Sequence, residues 1–162
     1  MSIETERKFL ISLPIDIPSD AQRSEITQTY LICEPGVTER VRLRKFPEGV
    51  KYYHTSKRRI SPVSSIENER EICADEYAAL LKRADPAKMP VHKTRYVYPS
   101  GEHLLEIDIY PFWHRQAVLE IELNSEDEAY FIPAWISVIR EVTGLHEYSN
   151  NRLSVSIPEE DQ

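Results

Sequence analysis

Four glycines and two cysteines in 162 residues leave little room for several familiar kinds of site. Gly36, Gly49, Gly101 and Gly144 stand alone, with no GxxxxGK[ST] loop, which excludes a P-loop enzyme. Cys33 and Cys73 form no CxxC and join no histidine cluster, so two reduced, partly buried thiols are expected. His54, His92, His103, His114 and His146 show no HExxH or paired spacing and read as surface or packing residues. No GxSxG element is present. No apolar run approaches the length of a membrane span, so no membrane partner is expected. Met1-Ser2-Ile3-Glu4 lacks a basic region followed by an apolar one, which makes the expected location cytoplasmic. The formal charge of −7 argues against broad nucleic-acid binding but leaves room for a local basic pocket.

What is there is alternation. Apolar residues make up 41% of the chain and charged residues 29%, which suits one globular domain, placed here at 1–157 with a frayed acidic tail at 158–162. Strand-like stretches fall near 2–12, 26–33, 39–46, 50–57, 65–73, 92–99, 102–110 and 117–124, separated by Pro, Gly and Ser punctuation. Ser100-Gly101 reads as a hairpin turn. One helix is expected from a cap at Asp75 to about Ala84, and a second from Pro133 to before Gly144 with Ile132, Ile136 and Ile139 on one side. The predicted fold class is mainly β: an eight-stranded antiparallel closed barrel with a few flanking helices.

The charges within these strands come in same-sign sets. In Glu4-Thr5-Glu6-Arg7-Lys8, a strand puts Glu4, Glu6 and Lys8 on one face. Two carboxylates about 7 Å apart repel by roughly 2 kcal/mol at an effective dielectric near 20, and a divalent cation would reverse that sign. Arg42 and Arg44 share a face, as do Glu67, Glu69 and Glu71, then Lys93 and Arg95, Glu106 and Asp108, and Glu120 and Glu122. An ordinary wet sheet face mixes Thr, Ser, Lys and Glu with opposite charges across from each other. Same-sign doublets in most strands point instead to a charged barrel interior, whose charges must be paired or ion-bound. Arginine suits bidentate phosphate contacts, and carboxylates without histidine or cysteine suit a hard ion such as Mg²⁺ or Mn²⁺. A polyphosphate is the ligand class that uses both sets.

The ordered set resembles the CYTH domain, the triphosphate tunnel metalloenzyme family, and in particular its small bacterial tripolyphosphatases. ExExK stands as Glu4–Lys8, RxR as Arg42-Leu43-Arg44, ExExE as Glu67–Glu71, and KTRY as Lys93–Tyr96. ExD and ExE stand as Glu106-Ile107-Asp108 and Glu120-Ile121-Glu122, and Lys57 closes the strand after RxR. The resemblance implies that Lys8, Arg42, Arg44, Lys57, Lys93 and Arg95 hold phosphates. It implies that Glu4, Glu6, Asp108, Glu120 and Glu122 hold metal, with Glu4, Glu6, Lys8 and Lys57 at the catalytic centre. Glu67, Glu69, Glu71 and Glu106 would support that shell, and the segment around Tyr148 would close one tunnel end. The insert Arg58-Arg59-Ile60-Ser61-Pro62 departs from the family pattern.

The function so implied is Mg²⁺- or Mn²⁺-dependent hydrolysis of a small triphosphate, first of all inorganic tripolyphosphate to diphosphate and phosphate. The attacking water is activated by metal, with no covalent intermediate. Adenylate cyclase, thiamine triphosphatase with Trp113 as a platform for the thiazolium, and a non-enzymatic polyphosphate sensor are the competing readings. A homodimer is left open.

Overall fold

The computed structural model describes residues 2–161. Every long run of period-two alternation forms a strand: β1 Ser2–Ser12, β2 Gln22–Tyr30, β3 Thr38–Phe46, β4 Gly49–Arg59, β5 Ser64–Ile72, β6 Val91–Ser100, β7 His103–Ile109 and β8 Gln116–Leu123. They pair antiparallel in the order β5-β4-β3-β2-β6-β7-β8-β1, and β1 returns to β5, so the eight strands close into a barrel. Gly101, at φ +60°, takes the left-handed conformation that the tight β6–β7 turn requires.

The seam of this barrel is short. β1 meets β5 over four residue pairs, Ser2↔Glu67 to Thr5↔Ser64, while it pairs with β8 from Thr5 to Ser12. Beyond Glu6, whose N–H donates to Val63 O, β1 exchanges β5 for a ninth strand, β9, at Val138–Glu141. The second helix expected from Pro133 is therefore not formed. Pro133 to Ile136 make one turn, and the chain then extends. The β-branched Val138 and Ile139 favour extension. The open edge of β1 also offers partners that a helix would leave unpaired: Ser12 N–H bonds to Ser137 O, and Val142 N–H to Lys8 O at 2.8 Å. Ile132 and Ile136 pack outside the barrel, whereas Ile139 packs with a different cluster, so their spacing does not describe one face.

Other boundaries move less. β2 begins at Gln22 and stops at Tyr30, because Leu31 leaves the strand to bridge Ala84. Helix α1 spans Ala74–Leu81 and is capped by Cys73, not Asp75; the thiol accepts from Glu76 N–H at 3.4 Å. That places Cys73 at the surface, where a partly buried thiol was expected. A 3₁₀ turn at His146–Tyr148 leads into the short helix α2, Asn150–Leu153. The acidic tail is docked instead of frayed: Glu160 accepts from the N–H groups of His114 and Arg115, and Asp161 pairs with Arg140 at 2.6 Å. Gln162 lies outside the described residues. Among the described residues no helix is long and apolar enough to cross a membrane.

The barrel is apolar outside and charged inside. Phe9, Ile11, Leu105, Ile107, Leu119 and Ile121 point outward and are covered by loops that bring Ile15, Ile17, Tyr130 and Trp135. Helix α1 covers Val41 and Ile72 with Leu80 and Leu81. The inward faces carry charge until one step before one end. There Lys8 gives way to Leu10, Gln28 to Tyr30, Lys93 to Val91, Asp108 to Tyr110 and Glu120 to Val118. These five residues, joined by Trp113, Val142, Tyr148 and Leu153, form an apolar plug.

Candidate functional site: a charged cavity inside the barrel

Above the plug lies a cavity of about 460 Å³. Seven basic residues line it (Lys8, Arg40, Arg42, Arg44, Lys57, Arg59, Arg95) and seven glutamates (Glu4, Glu6, Glu67, Glu69, Glu106, Glu120, Glu122), so neither sign alone describes its ligand. The two sets lie mostly on different strands, with Lys8 beside the glutamates of β1 as the exception. β3 gives three arginines at period two, and Arg95 on β6 stands beside them. β5, β1, β8 and β7 give the carboxylates, with Glu6↔Glu122, Lys8↔Glu120 and Glu106↔Glu120 directly opposite one another.

The basic wall is short of acceptors. Arg42 is buried and donates from Nε and Nη2 to Gln28 Oε1 at 3.1 and 2.8 Å, with no carboxylate bonded to it. Burial, then the neighbouring Arg40 and Arg95, push it down to about 9. Arg44 donates Nε to Ser24 Oγ at 2.9 Å, while its Nη2 is buried with no acceptor. Arg40 Nε is likewise buried and unpaired, and its Nη2 reaches Glu69 only at 4.0 Å. A buried guanidinium N–H without an acceptor costs free energy unless a ligand supplies one. Two such groups, with Arg42 between them held only by a neutral amide, describe a bed for an anion with several oxygens.

Beneath them Arg95 is the fully paired cation. Its Nε and Nη2 clasp both oxygens of Asp108 at 2.8 and 2.9 Å, and Nη1 bonds Glu106 at 3.0 Å. Lys93 Nζ lies 2.7 Å from the same Asp108 and donates to Asn150 Oδ1. Burial pushes the Asp108 carboxyl up, but Arg95 and Lys93 outweigh it and bring it down to about 2. Burial lowers Lys93 to about 7, with Asp108 opposing.

On the acidic wall carboxyls meet each other. Lys57 bonds Glu4 at 2.8 Å and lies 3.8 Å from Glu67; Lys8 lies 3.6 Å from Glu120 and donates to Tyr148 O. Burial, then the Glu4 charge, raise Glu67 to about 7. Burial, then the Glu120 charge, raise Glu6 well above its ordinary value. Burial works against Glu120, but Lys8 and Arg95 hold it well below. In each pair, Glu4 with Glu67 and Glu6 with Glu120, the two carboxyls are thus driven apart, one holding its proton more tightly and the other less. Glu122, exposed at the mouth, rises to about 7 through burial and then Glu106.

The sign of the pH dependence follows. Glu67 and Glu122 bind protons more tightly folded than unfolded, so the folded state holds more protons between about 4.5 and 7 and stability falls as pH rises through that range. Asp108 acts oppositely: its contribution is present above its unfolded value and lost as pH falls toward about 2. The metal-free protein is expected to melt at its highest temperature in weakly acidic solution. From pH 5 to 7 its stability should fall, mostly through Glu67, since water screens the exposed Glu122; above about 7 the lowered Lys93 acts in the opposite direction. Calorimetric melts in EDTA check this, and a melting temperature that rises over that interval would contradict it.

The structure gathers most of the residues singled out by sequence, but not all. Glu4, Glu6, Lys8, Arg42, Arg44, Lys57, Glu67, Glu69, Arg95, Glu106, Glu120 and Glu122 line the cavity. Lys93 and Asp108 are buried under its floor and act through Arg95 and Asn150. Tyr148 is part of the plug, with Arg140 donating to its hydroxyl at 2.8 Å. Glu71, exposed opposite Tyr53, does not line the cavity. Trp113 is buried among Tyr110, Phe112 and Tyr148 and does not line the cavity. Sequence reasoning missed Arg40, although Arg40-Val41-Arg42-Leu43-Arg44 extends the arginine alternation by one step. It also missed Gln28 and Ser24, which have no charge to mark them.

A closed antiparallel barrel whose interior sets a row of arginines against a group of glutamates is an architecture suited to a multiply charged ligand. The chain is 31% identical over 160 residues to an inorganic triphosphatase of Nitrosomonas europaea, across 96% of this chain and 99% of that protein. Its fold matches the crystal structure of an inorganic triphosphatase with a TM-score of 0.59 and 28% identity, covering 98% of this chain and 99% of that one. A protein of Pyrococcus horikoshii OT3 shares the fold at TM-score 0.56 and 20% identity, over 76% of this chain and 80% of that one. No protein-family model matches the chain. The chain belongs to the CYTH family of triphosphate tunnel proteins.

Proposed function

We propose that the protein hydrolyses a linear triphosphate, first of all inorganic tripolyphosphate to diphosphate and phosphate, with Mg²⁺ or Mn²⁺. The observation that carries this reading is the row Arg40, Arg42 and Arg44, in which Arg40 and Arg44 each keep a buried N–H without an acceptor and Arg42 is held by Gln28 alone, in one cavity with seven glutamates. The N. europaea relative, an inorganic triphosphatase, supports the same substrate.

The donors suit a hard cation. All are oxygens, and carboxyls raised by one another's charge mark a place where a positive charge is favoured. Among the described residues no three carboxylates already stand together as a cage. An ion here would take Glu4, Glu6, Glu120 and Glu122 singly or in pairs and complete its shell with substrate oxygens and water. When bound, it polarises phosphoryl oxygens and supplies a nucleophilic water. The chain itself does the rest. Arg40, Arg42 and Arg44 fix the phosphate chain against one wall, Arg95 and Lys93 keep Asp108 ionised beneath it, and Lys8 and Lys57 bring positive charge to the acidic side. Positioning and charge compensation are the main demands of phosphoryl transfer. The buried position of Trp113 counts against a thiazolium platform and so against thiamine triphosphate.

Phosphate release from tripolyphosphate, thiamine triphosphate and ATP, each with Mg²⁺, Mn²⁺ or EDTA and with cyclic AMP followed in the ATP samples, tests the proposal. Fast, EDTA-sensitive release from tripolyphosphate is the expected result, and cyclic AMP as the main product would overturn it. Glu122→Gln should weaken Mg²⁺ binding about tenfold or more, the loss of one charged ligand. It should leave the fold intact, because the exposed, proton-holding Glu122 is replaced by a neutral isostere. Unchanged Mg²⁺ affinity in titration calorimetry would remove Glu122 from the ion site.

A further inference from the structure

Asn150, the first residue of α2, brings an uncharged polar side chain to the cavity beside the plug. Its carboxamide is oriented by its neighbours. Oδ1 accepts from Lys93 Nζ at 3.3 Å and from the Tyr110 hydroxyl at 2.5 Å. The ammonium form of Lys93, which pairs with Asp108 at 2.7 Å, has three donors and no acceptor, so the atom turned to it is the oxygen. Lys93 and Tyr110 are both buried, and the oxygen therefore faces the protein. The nitrogen occupies the other arm of the same planar group. Nδ2 donates to none of the described residues, although seven glutamates line the same cavity. Asn150 is half-buried and borders that cavity, so its two N–H donors are what the amide presents to a ligand.

The residue type fits this division. As a partner for Lys93 and Tyr110 alone, an aspartate would be the stronger acceptor. It would also turn a second carboxylate oxygen toward a cavity already rich in them. Asparagine keeps the acceptor on the buried side and puts donors on the other. Lys93 itself is fully buried and does not line the cavity, so it cannot touch a ligand there directly. The amide that it orients stands in its place.

We propose that Asn150 is a substrate-contacting residue: its Nδ2 donates to the phosphoryl group lying deepest in the cavity, against the plug, while its oxygen anchors it to Lys93 and Tyr110. The inference rests on the triphosphate reading above and adds to the arginine row a neutral contact at the inner end of the substrate.

The test compares KM and kcat for tripolyphosphate with Mg²⁺ in the full chain, for wild type, Asn150→Ala and Asn150→Asp, with calorimetric melts of each. Asn150→Ala loses both ends of the amide. It should melt below wild type, and its KM should rise about tenfold, the loss of one hydrogen bond to a charged group, with kcat changed less. Asn150→Asp keeps an acceptor for Lys93 and Tyr110 and should melt close to wild type. Its KM should nevertheless rise at least as far, because an oxygen replaces the donor. A purely structural Asn150 predicts the opposite pairing, in which the aspartate variant recovers KM together with stability. Either variant folding with the wild-type KM overturns the assignment of Asn150 alone. Wild type that neither binds nor hydrolyses tripolyphosphate overturns the triphosphate reading and this inference with it.

Discussion

Arg95→Met is expected to destabilise the protein by about 3–5 kcal/mol, the cost of breaking a buried ion pair from one side. Burial works against the Arg95 charge, but Asp108 and Glu106 outweigh it and hold the guanidinium well above its ordinary value. Methionine fills much of the same volume but leaves Asp108 with Lys93 alone and Glu106 without its donor. The urea midpoint should fall sharply while the slope is unchanged. A loss below about 1 kcal/mol would mean that the Asp108 cluster relaxes around the gap, and Arg95 would then be a ligand-facing residue with no structural role.

Arg42→Met should do the reverse. Arg42 is buried, held by Gln28 alone and pushed down by burial and its cationic neighbours. Removing a desolvated, poorly matched cation should leave stability within about 1 kcal/mol of wild type. Loss of two charged hydrogen bonds to phosphate oxygens should lower kcat/KM for tripolyphosphate by at least about a hundredfold. The two arginines face the same interior from either side of β2, yet one is expected to be needed for folding and the other for the ligand. An Arg42→Met protein that unfolds like Arg95→Met, or one that keeps its activity, would refute the distinction.

That contrast also shows what sequence could and could not reveal. The period-two charges identified the strands and the inward faces because a strand has one geometric repeat and a wet sheet face rarely stacks like charges strand after strand. Lys93 and Arg95, or Arg42 and Arg44, look equivalent as sequence. Which of them is matched by Asp108 depends on pairing between β6 and β7, a non-local fact. The Pro133 segment failed for a similar reason. Local signals favoured a helix, but the empty edge of β1, more than a hundred residues away, offered hydrogen bonds that a helix could not.

The exchange of partners along β1 has a consequence for biosynthesis. β3 and β4 pair with neighbours made immediately before and after them, whereas β1 waits for β5, then β8, then β9. The first strand to be made is therefore among the last to be placed, and its Phe9-Leu10-Ile11 run stays uncovered while more than a hundred further residues are added. Such long-range closure is slow and leaves an adhesive edge in the meantime. Because that strand also carries Glu4, Glu6 and Lys8, the nascent chain cannot assemble its acidic wall before the barrel shuts. Folding intermediates should be unable to bind triphosphate, and a folded molecule should acquire fold and ligand site in a single step.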